Sequence, residues 1–403
     1  MSTTIIRILV LLFWAGVLAW WLWPREGPVK EPAPAGASAD GAPLYWFKGN
    51  THAHAKIRLG EWTHGDATPE QVVRWYREHG YHFLSITDHN IWSDGSAPIG
   101  ANGNQTGFLL LAGMEVTSDH RYPGVIQEGE RRIHSTALGG NGPVDWQFQD
   151  PRPAAVIRAQ SERINRTGGL AIVNHPNYRF QLTPLDVLEA GDVKLFELFN
   201  DHPRSNHDGH AGFRLSMEAF WDEVLSAGHL LYAVAADDAH DFGWLGKALR
   251  RFGTAPPGGA WIMVRAPRLS REHLLTALEA GDFYASTGVY LKDFGFRDGV
   301  YSIEVDMERS RSETKWPWIE DAAPIIWSDD SHFVVEFFGR DGRLLHWTHD
   351  QATANFRPDA RDGYVRGKVT YLSKLPSRTG ADWARAYYAW TQPVMLDSGR
   401  SAK

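Results

Sequence analysis

The side chains with the most chemistry sit on short motifs: His52-Ala53-His54, Thr63-His64-Gly65-Asp66, Thr87-Asp88-His89, Glu115, His134, Asn174-His175-Pro176 and Asp237-Asp238-Ala239-His240. Each of them except His64 follows or ends an apolar run of β type. Imidazoles and carboxylates at the ends of successive strands are what a barrel uses to aim metal ligands into one mouth. The chemistry that such a set serves is hydrolysis by a cluster of metal ions.

Two of the spacings have a direct geometric meaning. Residues two apart on a strand share a face, so His52 and His54 present both rings to one ion, and Asp238 and His240 repeat the arrangement. Glu115 follows the run FLLLAGM, and its two oxygens suit it to bridging two ions. Taken alone, His-x-His is a weak pattern, and His134 or His175 reads equally well as a hydrogen-bonded structural histidine. Their joint recurrence at strand–loop junctions is what argues for a site.

Composition narrows the chemistry. The 403 residues are 43% hydrophobic and 22% charged, enough for one large core and a smaller one. A formal net charge of −7 argues against a dedicated nucleic-acid binder, so nucleic acid enters only as a substrate. There is no cysteine, which excludes disulfides and thiolate zinc sites; any metal must rest on His, Asp and Glu.

The elements that must position these residues begin after an apolar N-terminus. Ile8–Trp23 is uncharged, and Ile5–Trp23 approaches the roughly 20 residues that a bilayer requires. Trp20, Trp21 and Trp23 fall where an interfacial aromatic belt would lie. Trp-Pro-Arg-Glu follows, not a small-residue cleavage site. Residues 1–23 are therefore expected to be an uncleaved transmembrane helix, with the body outside the cytoplasm, periplasmic or extracellular. Cleavage near Ala35–Ala39 and secretion is the alternative. Residues 24–43, rich in Pro, Ala and Gly, are expected to be a linker.

From Leu44 strands alternate with helices. Thr68-Pro69-Glu70 starts a helix that Gly80 ends; HFLSIT (82–87) and FLLLA (108–112) read as strands. Further segments follow: a helix over 153–167, LAIV (170–173), LFELF (195–199), a helix over 213–227 and LLYAVAA (230–236). This alternation predicts an α/β fold with a parallel barrel whose strand C-termini carry the site. After Gly253 the pattern shifts toward antiparallel segments with turn signals, such as Arg340-Asp341-Gly342. The expected organisation is a barrel over 44–288 and a small antiparallel β domain over 289–403.

Over roughly Leu44–Arg251 the chain resembles the PHP (polymerase and histidinol phosphatase) family. The family pattern is H-x-H, then S-D-G-x-x-T/S-P-E-E, then I-T-D-H-N. Here it reads Asn50-Thr51-His52-Ala53-His54, then Thr63-His64-Gly65-Asp66-Ala67-Thr68-Pro69-Glu70-Gln71, then Ile86-Thr87-Asp88-His89-Asn90. Gly113-Met114-Glu115-Val116-Thr117, Arg132-Ile133-His134, Asn174-His175-Pro176 and Asp237-Asp238-Ala239-His240 correspond as well. Two departures stand out: His64 replaces the Asp of S-D-G, with Asp66 close by, and the loop His54–Thr63 is longer than usual.

The resemblance implies a distorted seven-stranded (β/α) TIM-like barrel holding two to three divalent metal ions (Zn, Mn or Fe). One ion would take His52, His54, Glu115 and Asp238. A second would share Glu115 and add His134 and His175. A third would take His64, His89 and His240. Glu115, Asp238, His52 and His54 would carry the catalysis, and Asp88 would orient a histidine ring from behind. The activity implied is phosphoesterase: metal-activated hydroxide attacking a phosphoric monoester or diester. A metallohydrolase of a carboxyl ester, amide or carbamate is one alternative, and a non-catalytic surface binding protein on the same scaffold is another. The expected partners are a small phosphorylated or ester substrate and the membrane. Arg204, His207 and His210, in the polar loop after Asn200, are candidates for holding an anionic substrate.

Overall fold

The computed structural model describes residues 30–38, 41–59, 62–96, 107–118, 132–243, 253–313, 331–375 and 383–396. The expected membrane helix over 1–23 lies outside the described residues. Among the described residues no helix is long and apolar enough to cross a membrane.

The first described strand corrects the linker expected over 24–43. Ala33–Ala37 (β1) pairs antiparallel with Pro43–Asn50 (β2), and Ala35 is buried in the core. Small side chains let this Pro/Ala-rich segment lie flat along β2, whose backbone groups supply the partners that composition alone does not reveal. The loop after His54 is a hairpin, Ile57–Leu59 (β3) with Trp62–His64 (β4). Gly65 takes a φ of +70°, and a Cβ there would stand 2.4 Å from the Ala55 carbonyl oxygen, so only glycine makes this turn.

Helix α1 (Pro69–Glu78) forms as expected. Thr68 and Gln71 make a reciprocal capping box, Pro69 occupies the first turn, and Val72, Val73 and Tyr76 are buried. It leads to β5 (Phe83–Ser85), β6 (Leu109–Leu111), β7 (Gly113–Thr117) and β8 (His134–Leu138). Next come α2 (Pro153–Arg166), β9 (Leu170–Val173), α3 (Pro184–Ala190), β10 (Leu195–Asn200), α4 (Met217–Ser226) and β11 (Tyr232–Ala236). The segment closes with β12 (Trp261–Ala266), α5 (Arg271–Glu279) and β13 (Phe283–Ser286).

The strands do not all run parallel. β2–β5–β6 are parallel, as are β9–β10–β11, and their residues form near-continuous apolar runs, as doubly covered strands do. β8, however, runs antiparallel to both β7 and β9. That reversal corrects the expectation that His134 follows or ends a strand: His134 begins one. An antiparallel strand delivers its first residue to the end where its neighbours deliver their last.

The strands form a sheet of order β11-β10-β9-β8-β7 and a larger sheet that includes β12-β2-β5-β6. Single parallel bridges connect the two sheets at the site: Ala53 with Ala239, and His89 with Glu115. The His54 N–H donates to the Ala239 carbonyl and the Asp238 N–H to the His52 carbonyl, both at 2.9 Å, so the two His/Asp motifs are laced together by backbone.

The remaining elements are β14 (Leu291–Arg297), β15 (Val300–Val305), α6 (Met307–Glu313), β16 (His332–Gly339), β17 (Arg343–His349), β18 (Thr353–Phe356), β19 (Tyr364–Leu375), β20 (Trp383–Thr391) and β21 (Val394–Met395). β20 pairs antiparallel with β13, so the larger sheet continues without a break through β19 and β16 to β17. The C-terminal strands are also clamped to α4. The buried Arg366 guanidinium donates to both Asp222 oxygens, at 2.7 and 2.6 Å.

Candidate metal centre

Seven imidazoles and two carboxylates converge where the two sheets are bridged. His52 and His54 follow β2, His89 follows β5, Glu115 lies in β7, His134 starts β8, His175 follows β9, and Asp238 and His240 follow β11. His64 ends β4 and reaches the group from the hairpin, its ring centroid 4.8 Å from that of His54 and 4.3 Å from that of His240. His52, His54 and Glu115 are fully buried. Three of the supporting residues have left-handed backbones: Asn90 (φ 54°), His175 (φ 26°) and Asp238 (φ 50°). Such geometry costs about 1–3 kcal/mol for a non-glycine residue and is usually found where a site requires it.

Hydrogen bonds on the outer ring nitrogens decide which nitrogens face inward with a lone pair. His52 Nδ1 is 2.7 Å from Glu197 Oε1, and an ionised carboxylate can only accept, so Nδ1 carries the proton. His52 Nε2 then points at His54 Nε2 (3.1 Å), Asp238 Oδ1 (3.3 Å) and Glu115 Oε1 (3.3 Å). Likewise His240 Nδ1 donates to the Asp238 carbonyl at 2.7 Å, which leaves its Nε2 lone pair 2.9 Å from His64 Nε2. Lone pairs crowded against lone pairs and carboxylate oxygens repel one another unless protons or cations lie between them.

Glu115 is the hub. Oε1 lies 3.0 Å from His134 Nδ1, 3.3 Å from His52 Nε2 and 3.4 Å from His175 Nε2, while Oε2 lies 2.6 Å from His89 Nδ1 and 3.7 Å from His54 Nε2. Asn174 Nδ2 donates to Oε1 at 2.9 Å and fixes the carboxylate plane. Burial by itself would push Glu115 up. The imidazoles of His89, His134 and His52 reverse that and hold it well below the usual carboxylate range. Asp238 is likewise held low against burial by His52 and His54. Burial, assisted by the charges of His54 and His89, pushes His64 down to about 3, and burial pushes His134 down to about 4. Against burial, Asp238 and Glu115 raise His52 and His175 and bring His54 up to about 9, so protons must leave these rings as a cation enters.

Divalent cations fit this donor set. His54 Nδ1, His64 Nδ1 and His134 Nε2 are buried without a hydrogen-bond partner, which is costly for a protein without a bound cation. Ligand atoms of His52, His54 and Asp238 lie within 4.8 Å of one another, as do those of His89, Glu115 and His134, and of His54, His64 and His89. The His/Asp/Glu clusters therefore have the chemistry and spacing to bind metal.

The other expected residues are placed as follows. Asp88 Oδ1 accepts the Ala55 N–H at 2.9 Å and lies 3.7 Å from His54 Nδ1, so it holds the backbone after His-x-His more firmly than it holds the ring. Asp66 turns away: its two oxygens accept the N–H groups of Phe242 (2.8 Å) and Gly243 (3.1 Å). His207 packs on Phe199, with ring centroids 4.2 Å apart, and His210 sits beside Phe213. Arg204 is exposed, with its N–H donating to His202 Nδ1 at 3.1 Å.

Three further residues, Glu197, His202 and Tyr178, border the site. Glu197 is 1% exposed and accepts from His52, from the His175 N–H (2.8 Å) and from Asn200 Nδ2 (2.9 Å). Its signal was available: a lone acid inside LFELF is a buried charge that must have partners. His202 and Tyr178 form the rim, with the His202 ring 5.6 Å from His240 and the Tyr178 ring 5.2 Å from His175. His202 stands in a loop and Tyr178 in a single 3-10 turn, and no periodicity marks either.

No family model matches the chain, and no curated protein matches it. A solved structure to which it is similar is that of a two-domain protein from Bacteroides vulgatus containing a predicted PHP-like metal-dependent phosphoesterase. The two are 14% identical with a TM-score of 0.40, over 90% of this chain and 99% of that one.

Proposed function

We propose that this protein is a metal-dependent phosphoesterase of PHP type, with the two bridged sheets forming the wall of a distorted barrel around a multinuclear centre. The observation that carries the proposal is the position of Glu115, one carboxylate in contact with five imidazoles through both of its oxygens. A structural carboxylate needs one or two partners; this placement suits a ligand shared between ions.

His52, His54, Asp238 and Glu115 would hold one ion, Glu115, His134 and His175 a second, and His64, His89 and His240 a third. When bound, divalent ions supply Lewis acidity toward phosphoryl oxygens and activation of water near neutral pH. The chain's own residues arrange that chemistry. Glu197 and the Asp238 carbonyl set the tautomers of His52 and His240, and Asn174 fixes Glu115. At the rim, the Arg179 guanidinium lies 5.4 Å from the Tyr178 ring, and the Arg204 charge is near enough to His202 to oppose its protonation, though burial is the larger cause. Cations at the mouth favour an anionic phosphoester over a neutral carbonyl compound.

We place the catalytic body outside the cytoplasm, tethered by residues 1–23, on the strength of the apolar N-terminal run. The proposal is tested with purified protein reconstituted with Zn, Mn or Fe and offered phosphomonoesters, phosphodiesters and carboxyl esters. Turnover of a phosphoester is expected. Turnover of the carboxyl ester alone would replace this reading with a carbonyl hydrolase.

A further inference from the structure

A second cluster of ligand-type side chains occupies different elements altogether, the open end of the β16–β17 hairpin. Along β16 burial alternates: Phe333, Val335 and Phe337 point into the core, while His332, Val334 and Glu336 lie on the outer face. The register pairs Val334 with His349, so His349 shares that outer face and sits diagonally across from His332. Their ring centroids are 4.9 Å apart.

Asp350, the next residue, would by alternation turn inward with Phe333. Instead it takes a left-handed backbone (φ 52°), which aspartate tolerates better than most residues. Its N–H donates to the Phe333 carbonyl and its Oδ1 accepts the Phe333 N–H, both at 2.8 Å. With Oδ1 engaged, Oδ2 lies 2.9 Å from His332 Nδ1 and 3.2 Å from His349 Nδ1. Ligand atoms, one from each of the three residues, fall within 4.8 Å of one another. The His332 and His349 side chains keep 41% and 48% of their surface open to solvent, so an ion can enter without any rearrangement of the core.

We propose that His332, His349 and Asp350 form a separate, solvent-facing site for a zinc-type divalent cation. Two imidazoles and one carboxylate on one side of an ion are a donor set that borderline cations of the zinc, nickel and copper type prefer, with water completing the shell. The carboxylate is already fixed by the Phe333 backbone, so little side-chain freedom is lost on binding. An ion there would pin the mouth of the hairpin at the edge of the larger sheet, and the buried centre needs none of these three residues. The proposal is therefore independent of the activity assigned above.

The test is equilibrium dialysis of the full-length chain against zinc after the buried centre has been loaded, comparing the unchanged protein with His349→Asn and His332→Asn. Each variant should bind one zinc ion fewer per chain and keep its hydrolytic turnover. Circular dichroism confirms that each variant is folded, and using two variants guards against the loss of one. Equal zinc content in the unchanged protein and in both variants would overturn the proposal and leave a hydrogen-bonded trio that binds no ion.

Discussion

Glu197 accepts a 2.7 Å hydrogen bond from the outer nitrogen of His52, and the same carboxylate accepts the backbone N–H of His175 at 2.8 Å. One buried acid thus orients two of the proposed ligands without being required to bind an ion itself. Glu197→Gln removes the charge and keeps the size. It should weaken metal binding by about 10–100-fold, the usual effect of an outer-shell partner. A competition titration with a chelating dye measures this, and unchanged affinity would show that His52 is held by packing alone.

His64 and Asp66 compete for one position in the motif, and the structure separates them. His64 faces His240, whereas Asp66 caps the backbone at Phe242 and Gly243. His64→Ala is expected to lose one ion and to impair hydrolysis without abolishing it, because an all-histidine site lacks ligand charge. Asp66→Ala should keep its metal content and lose about 1 kcal/mol of stability through the lost backbone hydrogen bonds. Metal counting on both variants decides: loss of an ion from Asp66→Ala alone would reverse the assignment.

Much of this site could be read from the chain because strand periodicity and metal chemistry act at short range. His52 and His54 flank Ala53, Asp238 and His240 flank Ala239, and the bridge between those two alanines brings both pairs together just beyond the strand ends that the sequence marks. The reversal of β8 was not legible, since direction is set by which neighbours a strand finds, and His134 reads the same at either end. The strand Ala33–Ala37 was hidden in a composition that, without β2 beside it, belongs to a linker. Glu197 escaped because its function lies in contacts 145 and 22 residues away along the chain.

His82 gives a pH dependence outside the metal centre. Its Nδ1 accepts the Lys48 N–H at 2.9 Å and its Nε2 donates to the Lys30 carbonyl at 2.9 Å, so the folded state needs the neutral ring. Burial, which outweighs the carbonyl contact, lowers it to about 4. The unfolded ring protonates near pH 6.5 and the folded ring does not, so stability from this residue is full above pH 6.5 and is lost as pH falls toward 4. The loss amounts to roughly 3 kcal/mol. Urea unfolding across that range should show a shallower acid decline for His82→Gln than for the unchanged chain. Parallel declines would remove His82 as the cause.

Removing residues 1–29 should release the protein from membranes while preserving activity. Removal through residue 43 should destabilise it, because β1 and the Lys30 contacts to His82 and Glu313 would be lost. Cleavage near Ala39 would delete β1 in the same way. Fractionation of the full chain, with thermal unfolding of the two truncations, checks both points. A fully soluble full-length chain, or equal melting temperatures for the two truncations, would contradict them.

The central claim, that Glu115 is the shared ligand of a hydrolytic metal cluster, is tested most directly by measuring metal content and phosphoester turnover on the same samples of unchanged and Glu115→Gln protein. The unchanged protein should hold roughly two to three ions per chain, lose its turnover on chelation and regain it when divalent metal is restored. Glu115→Gln should lose more than one ion and more than about 100-fold in turnover, exceeding the effect expected of an outer-shell group. A folded Glu115→Gln protein with full metal content and normal turnover would contradict the account.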